Sequence, residues 1–318
     1  MIFEKKIIEM YRAQLYGRCD ENGKVFYFSH ADFDGLSAEP FSFKSNEGAM
    51  LKGYFYSYEG YDSSRLVIFD HGYGGGHRAY MVEIERLCRA GFRVFSYDHT
   101  GCMESEGDST RGFLQSLSDL NACISAIRAS FAGVSISVMG HSWGAFSTMN
   151  IAAIHPEITH IVAISGFVSV EHIINQNFSG LLKLYRECIM NVERETNPDY
   201  VHYDAITTLK NSNVKALLIY SDDDKIVKRQ YHYDELKREL SDSKNVTLML
   251  VSGKGHNPNY TADAVSYKDA FFEKLQKLDK KKKLESEEEK RRFVASFDWK
   301  RMTAQDEALW DAIISHLK

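Results

Sequence analysis

The chain has 318 residues, of which 44% are hydrophobic and 26% are charged, a composition typical of a folded globular protein and not of a disordered one. Its formal net charge of −5 argues against a nucleic-acid partner. The five cysteines are scattered without a Cys-x-x-Cys pair, so the sequence predicts neither a disulfide framework nor a metal site. The charged start of the chain is unlike a signal peptide, and no stretch approaches the roughly 20 apolar residues of a membrane span. We therefore expect a cytoplasmic protein with no stable membrane insertion.

Short apolar segments alternate with helical patterns along most of the chain. Residues 1–40 are predicted to be an N-terminal extension, a helix followed by aromatic-rich irregular chain. Predicted strands follow at 48–58, 65–70, 92–98, 134–140, 160–165, 214–222 and 245–253, and predicted helices lie at 78–90, at 112–131 and from Ser142 onward. Such alternation is typical of a mostly parallel sheet covered by helices on both faces, so the sequence predicts an α/β fold.

The alternation breaks in two places. Residues 167–211 have a helical pattern between two predicted strands, and we expect them to form a small cap over the carboxyl edge of a core made of 41–166 and 212–318. A charge-dense insertion at about 262–298 is predicted to be a solvated helix or helical hairpin, because its lysines are followed directly by acids. Residues 303–317 then resume an amphipathic pattern that can pack on the sheet.

One serine stands between two glycines where a predicted strand becomes a helix, in the segment Gly140-His141-Ser142-Trp143-Gly144. A tight turn at this point pushes the serine hydroxyl out above the sheet, and glycines on both sides avoid collisions with the neighbouring strand and helix. The start of the helix also directs N–H groups and a positive dipole end at developing negative charge. The pattern predicts that Ser142 is a nucleophile, which requires a base and oxyanion donors.

A base and an orienting acid are available at the ends of later predicted strands. His256 follows the last strand between two glycines, and the order serine, aspartate, histidine is the one expected for this elbow. We predict that His256 is the base, because the other candidates lie beside the nucleophile or in helical segments: His141, His202 and His232. The strand before His256 ends in three adjacent acids, and their position alone does not select one: Asp222, Asp223 and Asp224.

The chain resembles the α/β-hydrolase family from about residue 45 to 256. The run from Ser221 to Val227 is similar to the family's small-residue-x-x-Asp-x-x-Val pattern, which implies Asp224 as the acid, with Asp222 next. His71-Gly72-Tyr73-Gly74 resembles the family's HG-x-G loop, which implies an oxyanion hole made by the main-chain N–H groups of Tyr73 and Trp143. The segment that begins at Asp98 resembles D-x-x-G-x-G-x-S but carries Met103 where a glycine is usual.

A dinucleotide-binding fold is a competing interpretation of the glycine-rich loop. It would place glycines around a pyrophosphate and Asp98 on a ribose. The spacing disfavours it, because His77 occupies the position of the last glycine in G-x-G-x-x-G.

The resemblance implies a cofactor-independent serine hydrolase that forms an acyl-enzyme. Within the family, the chain most resembles bacterial esterases and monoacylglycerol-lipase-like enzymes. A small-molecule carboxylic ester with a small to medium acyl group is therefore the leading substrate prediction. Phe167, Phe178 and Leu182 are candidate lining residues, although each can equally serve to pack the cap. A serine aminopeptidase is the alternative, since these enzymes often carry Trp after the serine, and a thioesterase or acyltransferase would use the same chemistry. A catalytically silent binding module is the alternative of another class, and the sequence gives no indication of oligomeric state.

Overall fold

The computed structural model describes residues 2–318. Within that range, eight strands form one sheet in the order β1-β2-β4-β3-β5-β6-β7-β8. The β1–β2 and β2–β4 pairs are antiparallel and the other five neighbouring pairs are parallel, which confirms the predicted mostly parallel sheet. The strands are β1 Ser37–Lys44, β2 Met50–Ser57, β3 Asp62–Asp70, β4 Phe92–Tyr97, β5 Ser135–His141, β6 His160–Ile164, β7 Lys215–Ser221 and β8 Val246–Val251.

Helices cover both faces of the sheet, which explains why its central strands are continuous apolar runs. On β5, Val138 belongs to one core cluster with the helices α3 and α4, while its neighbour Met139 belongs to a second cluster with α2 and α12. The helices are α1 Ile2–Leu15, α2 Met81–Arg89, α3 Gln115–Ser130, α4 Trp143–Asn150, α5 Val170–Asn177, α6 Arg186–Thr196, α7 Ala205–Lys210, α8 Tyr233–Leu240, α9 Ala262–Lys280, α10 Glu287–Ala295, α11 Trp299–Met302 and α12 Glu307–Leu317.

The segments outside the regular alternation are also helical. Residues 167–211 contain α5, α6 and α7 between β6 and β7, together with a 3₁₀ turn at Gly180–Tyr185. The charge-dense region contains α9 and α10, which bury a small apolar cluster of their own around Phe271 and Phe293. Helix α12 returns to the sheet and buries Trp310 completely.

Two further observations concern the start of the sheet and the character of the helices. Strand β1 begins at Ser37, so the sheet takes up the last residues of the predicted extension 1–40. Among the helices of residues 2–318, none combines the length and the apolar character needed to cross a membrane.

Candidate active site

The predicted elbow is present between β5 and α4. Ser142 lies at φ +55° and ψ −110°, in a backbone region that residues other than glycine rarely occupy. A Cβ on Gly140 would overlap the main chain of Gly144, and a Cβ on Gly144 would overlap the carbonyl oxygen of Asp70. The two glycines therefore permit the close approach of helix and strand that leaves Ser142 at the carboxyl edge of the sheet.

Asp224 and His256 form a direct pair at the same edge. The Nδ1 atom of His256 lies 2.7 Å from Asp224 Oδ2, and the other carboxylate oxygen accepts N–H bonds from Ile226 at 2.8 Å and Val227 at 3.0 Å. Burial raises the pKa of Asp224, but the hydrogen bond and charge of His256 and the main-chain donors outweigh it, so the pKa falls below its usual value. The aspartate is therefore an anion that holds His256 with its proton on Nδ1.

The neighbouring acids serve the loop instead. Asp222 accepts hydrogen bonds from Ser252 and from the Gly253 N–H, and Asp223 accepts from Ser221 and from the Gly255 N–H. Neither contacts His256, so geometry distinguishes Asp224 from both.

His256 lies beside the elbow. Its ring centroid is 4.8 Å from that of His141, the residue that precedes Ser142, and its carbonyl oxygen is 2.7 Å from His141 Nε2. Within residues 2–318, neither the Ser142 hydroxyl nor His256 Nε2 has a hydrogen-bond partner. Catalytic hydrogen bonds are often long before substrate binds, so the unpaired state of both groups is compatible with a nucleophile and its base.

The glycine-rich loop is fixed through His71. The N–H of His99 donates to His71 Nε2 at 3.0 Å, so the proton of His71 must sit on Nδ1, which donates to the carbonyl oxygen of Gly72 at 2.7 Å. Burial lowers the pKa of His71 to about 3, which keeps the ring neutral as this arrangement requires. In a planar trans peptide the N–H points opposite to the C=O, so the Tyr73 N–H points away from His71.

Tyr73 and Trp143 meet at the site. Their rings lie 5.6 Å apart in an edge-to-face arrangement. Trp143 is the first residue of α4, so its N–H has no intrahelical acceptor. In the part of the chain that the structure describes, neither N–H has an acceptor, and both are free to donate to a bound group.

The three predicted lining residues occupy different environments. Phe167 is 2% exposed and packs between Phe113, at 5.2 Å, and Phe146, at 4.6 Å. Phe178 is half-buried beside Tyr11 of α1, and Leu182 is 43% exposed on the 3₁₀ turn. Phe167 thus belongs to the packed core, whereas Phe178 and Leu182 lie nearer the surface.

Asp98 supports the glycine-rich loop and is not available to a ribose. It is 1% exposed and accepts both the N–H and the Nδ1–H of His77, each at 2.8 Å. This geometry agrees with the rejection of a dinucleotide site. Met103 takes φ +43°, a left-handed conformation that glycine favours and that matches the usual presence of glycine at this position of the family pattern. Residues 2–318 contain no cluster of three or more His, Cys, Asp or Glu side chains arranged for a metal ion.

The sequence patterns did not reveal a buried ionic cluster below the site. His99 lies between Asp70, at 3.1 Å, and Asp119, at 3.3 Å, and all three are fully buried. The only local signal is a polar residue at the carboxyl end of each of two apolar strands. Such a signal does not indicate that these residues pair with each other.

Comparison with known proteins agrees with the architecture. Residues 62–205 match the family model described as serine aminopeptidase, S33. A monoglyceride lipase homolog of monkeypox virus is 28% identical over 109 residues, which span 33% of this chain and 40% of that protein.

Solved structures with this architecture include an esterase of Pyrococcus furiosus, with 18% identity, a TM-score of 0.59 and coverage of 83% of this chain and 98% of that one. A structure from a study of carboxylesterases of Nitrososphaera gargenis has 17% identity, a TM-score of 0.52 and coverage of 75% and 97%. By its sheet topology and its likeness to these structures, the chain has the α/β-hydrolase fold, and its central segment matches the serine aminopeptidase family model.

Proposed function

We propose that the protein is a serine hydrolase that cleaves carboxylic esters of small to medium acyl groups through an acyl-enzyme. The observation that carries this proposal is the meeting of three features at one sheet edge. Ser142 occupies a strained elbow, and the Asp224–His256 pair beside it leaves Nε2 of the histidine without a partner among residues 2–318. Tyr73 and Trp143, whose main-chain N–H groups have no acceptor in the same range, contact each other next to the elbow.

Each group has a defined part in the proposed reaction. His256 Nε2 accepts the Ser142 proton as the serine oxygen attacks the ester carbonyl, and Asp224 keeps the imidazole oriented and stabilises its charge. The N–H groups of Tyr73 and Trp143 donate to the tetrahedral oxyanion. His256 then protonates the leaving alcohol, and water repeats the sequence on the acyl-serine to release the acid.

The carboxylate that contacts Phe113, which packs against the predicted lining residue Phe167, supports a neutral substrate over one with a free α-amino group. A cationic amine requires an available carboxylate when it leaves water. The buried carboxylate beside Phe113 is that of Glu193, and it already accepts four hydrogen bonds: from Tyr11 Oη at 2.7 Å, Tyr16 Oη at 3.1 Å, the Phe113 N–H at 3.0 Å and the Leu114 N–H at 3.4 Å. This supports an acyl group over an α-amino group beside Phe113 and Phe167.

A serine aminopeptidase is the second candidate, supported by the matched family model and by Trp143 after the serine. A panel of p-nitrophenyl esters of increasing acyl length, measured beside amino-acid anilides, separates the two. Faster turnover of the anilides would favour the aminopeptidase.

The nucleophile is tested with Ser142→Ala, which we expect to abolish both ester turnover and labelling by a fluorophosphonate. Ser179→Ala is the matched control, because it removes an exposed hydroxyl that makes no capping hydrogen bond. Labelling retained in Ser142→Ala would place the nucleophile elsewhere. A wild-type protein inert to esters, anilides and the probe would indicate a binding module.

A further inference from the structure

Three segments of the site meet at the side chains of Tyr80 and His141. The N–H of Gly72, in the glycine-rich loop, donates to Tyr80 Oη at 3.1 Å. Tyr80 Oη lies 2.9 Å from His141 Nδ1, and His141 Nε2 lies 2.7 Å from the carbonyl oxygen of His256. We propose that Tyr80 and His141 are positioning residues that hold the oxyanion loop, the elbow and the histidine loop in one fixed arrangement, an inference that rests on the function proposed above.

The direction of each hydrogen bond follows from the acceptors. A carbonyl oxygen can only accept, so His141 Nε2 must carry the proton that it donates to His256. The approach of Asn257 Nδ2 to the same nitrogen is longer, at 3.5 Å, and does not change this, because the carbonyl at 2.7 Å requires a donor. Burial, followed by the charge of nearby His256, lowers the pKa of His141 to about 3, so the ring is neutral and Nδ1 is an acceptor.

The remaining proton is then fixed as well. Tyr80 must donate its hydroxyl proton to His141 Nδ1, which leaves an oxygen lone pair for the Gly72 N–H. The chain therefore runs in one direction, from the Gly72 amide through Tyr80 and His141 to the main chain of His256. A Cβ at Gly72 would overlap Tyr80 Oη and approach His141 Nδ1 to 3.3 Å, so glycine at this position permits the contact.

The proposed oxyanion donor and the proposed base are therefore each held from two sides. Gly72 is held by Tyr80 at its N–H and by His71 at its carbonyl, and that carbonyl shares a peptide unit with the Tyr73 N–H, so the direction of the oxyanion donor is fixed. His256 is held by His141 at its carbonyl and by Asp224 at Nδ1. Small displacements of such groups reduce catalysis strongly, because the oxyanion donor and the base must meet the reacting atoms in a narrow geometry.

Tyr80→Phe tests the proposal, because it removes only the hydroxyl. We expect kcat for p-nitrophenyl butyrate to fall about 10- to 100-fold, less than the 10²- to 10³-fold that loss of a whole oxyanion donor produces. KM should change less than about threefold, because Tyr80 is not among the candidate lining residues of the substrate site. Tyr58→Phe is the matched control: it removes a tyrosine hydroxyl bonded to Glu85 at 2.8 Å, outside the site, and should retain wild-type kcat.

His141 variants provide a rescue test. His141→Gln retains an amide that can donate to the His256 carbonyl, so it should keep more kcat than His141→Ala. In the double variant Tyr80→Phe/His141→Gln, one continuous chain predicts a loss no larger than that of the worse single variant, whereas independent contributions would multiply. Unchanged kcat in Tyr80→Phe, a change in KM alone, or multiplied losses would overturn the proposal.

Failure of the hydrolase function is distinguished by a structural readout that needs no turnover. The amide nitrogen and proton shifts of Gly72 and Tyr73, measured by NMR in Tyr80→Phe and in wild type, report the loop directly. Shifts displaced in Tyr80→Phe but not in Tyr58→Phe support the positioning chain even if wild type cleaves no ester. Shifts that match wild type overturn it.

Discussion

The rim of the sheet around His256 and the buried layer around His99 contain the same two residue types in different surroundings. At the rim, Asp224 contacts Nδ1 of His256, while the second ring nitrogen has no partner within residues 2–318 and the side chain is 16% exposed. In the buried layer, Asp70 and Asp119 face the two nitrogens of a fully buried ring.

The protonation of the buried histidine, His99, follows from these contacts. Burial lowers the pKa of His99, but the charge of Asp70 and the hydrogen bond with Asp119 outweigh it and raise the pKa to about 10. His99 is therefore a fixed cation near neutral pH, with no nitrogen left to accept a proton. Both ring nitrogens of His77 are also occupied, Nδ1 by Asp98 and Nε2 by Tyr56 Oη. An Asp–His pair can act as an acid–base group only where one ring nitrogen stays open, as at His256.

The closed pair still supports the site. The ring of His99 lies 4.4 Å from that of His71 and 4.7 Å from that of Trp143. The main-chain N–H of His99 fixes the proton position of His71. The buried layer thus orients the glycine-rich loop, while the rim carries the proposed proton transfer.

Removing the open pair should have the largest effect. His256→Gln is expected to lower kcat for ester turnover roughly 10⁴-fold or more, because the general base and acid are lost together. The measurement is initial rates with p-nitrophenyl butyrate beside thermal unfolding. His160→Gln, a partly exposed histidine at the start of β6, should keep wild-type turnover. Activity of His256→Gln within tenfold of wild type would contradict the role of this histidine.

Replacing Asp224, the acid of the open pair, should lower kcat slightly less than replacing His256. Asp224→Asn keeps the shape but can no longer hold the Nδ1–H tautomer, and kcat should fall about 10³- to 10⁴-fold. Asp222→Asn is the matched control two positions away, since the Asp222 carboxylate accepts hydrogen bonds from Ser252 and Gly253 of the loop. Steady-state kinetics of Asp224→Asn and Asp222→Asn show which of the two aspartates supports turnover. Equal losses would mean that the acid has been misidentified.

Sequence reasoning succeeded where the information is local. The elbow at Ser142 depends on two glycines and a strand-to-helix junction within a few residues, and its conformation agrees with the prediction. The central strands were predicted because burial on both faces requires continuous apolar runs. Strand β1 was missed because it is an edge strand with exposed positions and an internal Pro40, which weaken both the apolar and the alternating signal.

The supporting contacts could not be predicted, because they join segments far apart in the chain. Tyr80 reaches His141 across 61 positions, and His141 reaches the His256 carbonyl across 115. Nothing in the residue types near either end specifies the partner, since tyrosine and histidine serve equally well in a core. The choice among three adjacent aspartates likewise needed a family pattern, because only the folded loop directs Asp224, and not Asp222, toward His256.

The neutral buried histidines should make the protein sensitive to acid. His71, His141 and His232 each have a pKa of about 3 in the folded chain, below the ordinary value of 6.5. The unfolded chain therefore binds more protons below pH 6.5, and the free energy of unfolding should fall as pH drops from 6.5 toward 3, with up to about 1.4 kcal/mol per pH unit for each histidine. Urea unfolding at pH 7, 6 and 5 measures the slope, and His141→Gln should reduce it by one proton. A flat profile between pH 7 and 5 would contradict the neutral state.

The buried cation should act in the opposite direction and with a smaller slope, since one histidine is involved. The folded pKa of His99, about 10, lies above its ordinary value of 6.5, so its contribution to stability is complete below pH 6.5 and is lost as pH rises through 10. Between pH 7 and 9 the free energy of unfolding should fall by up to about 1.4 kcal/mol per pH unit, and His99→Gln should remove that part of the slope. If His99→Gln does not fold, the imidazole nitrogen shifts of His99 in wild type report the same charge directly. A neutral ring at pH 8 would show that the two aspartates do not hold the proton, and the contrast between the closed and the open pair would then rest on geometry alone.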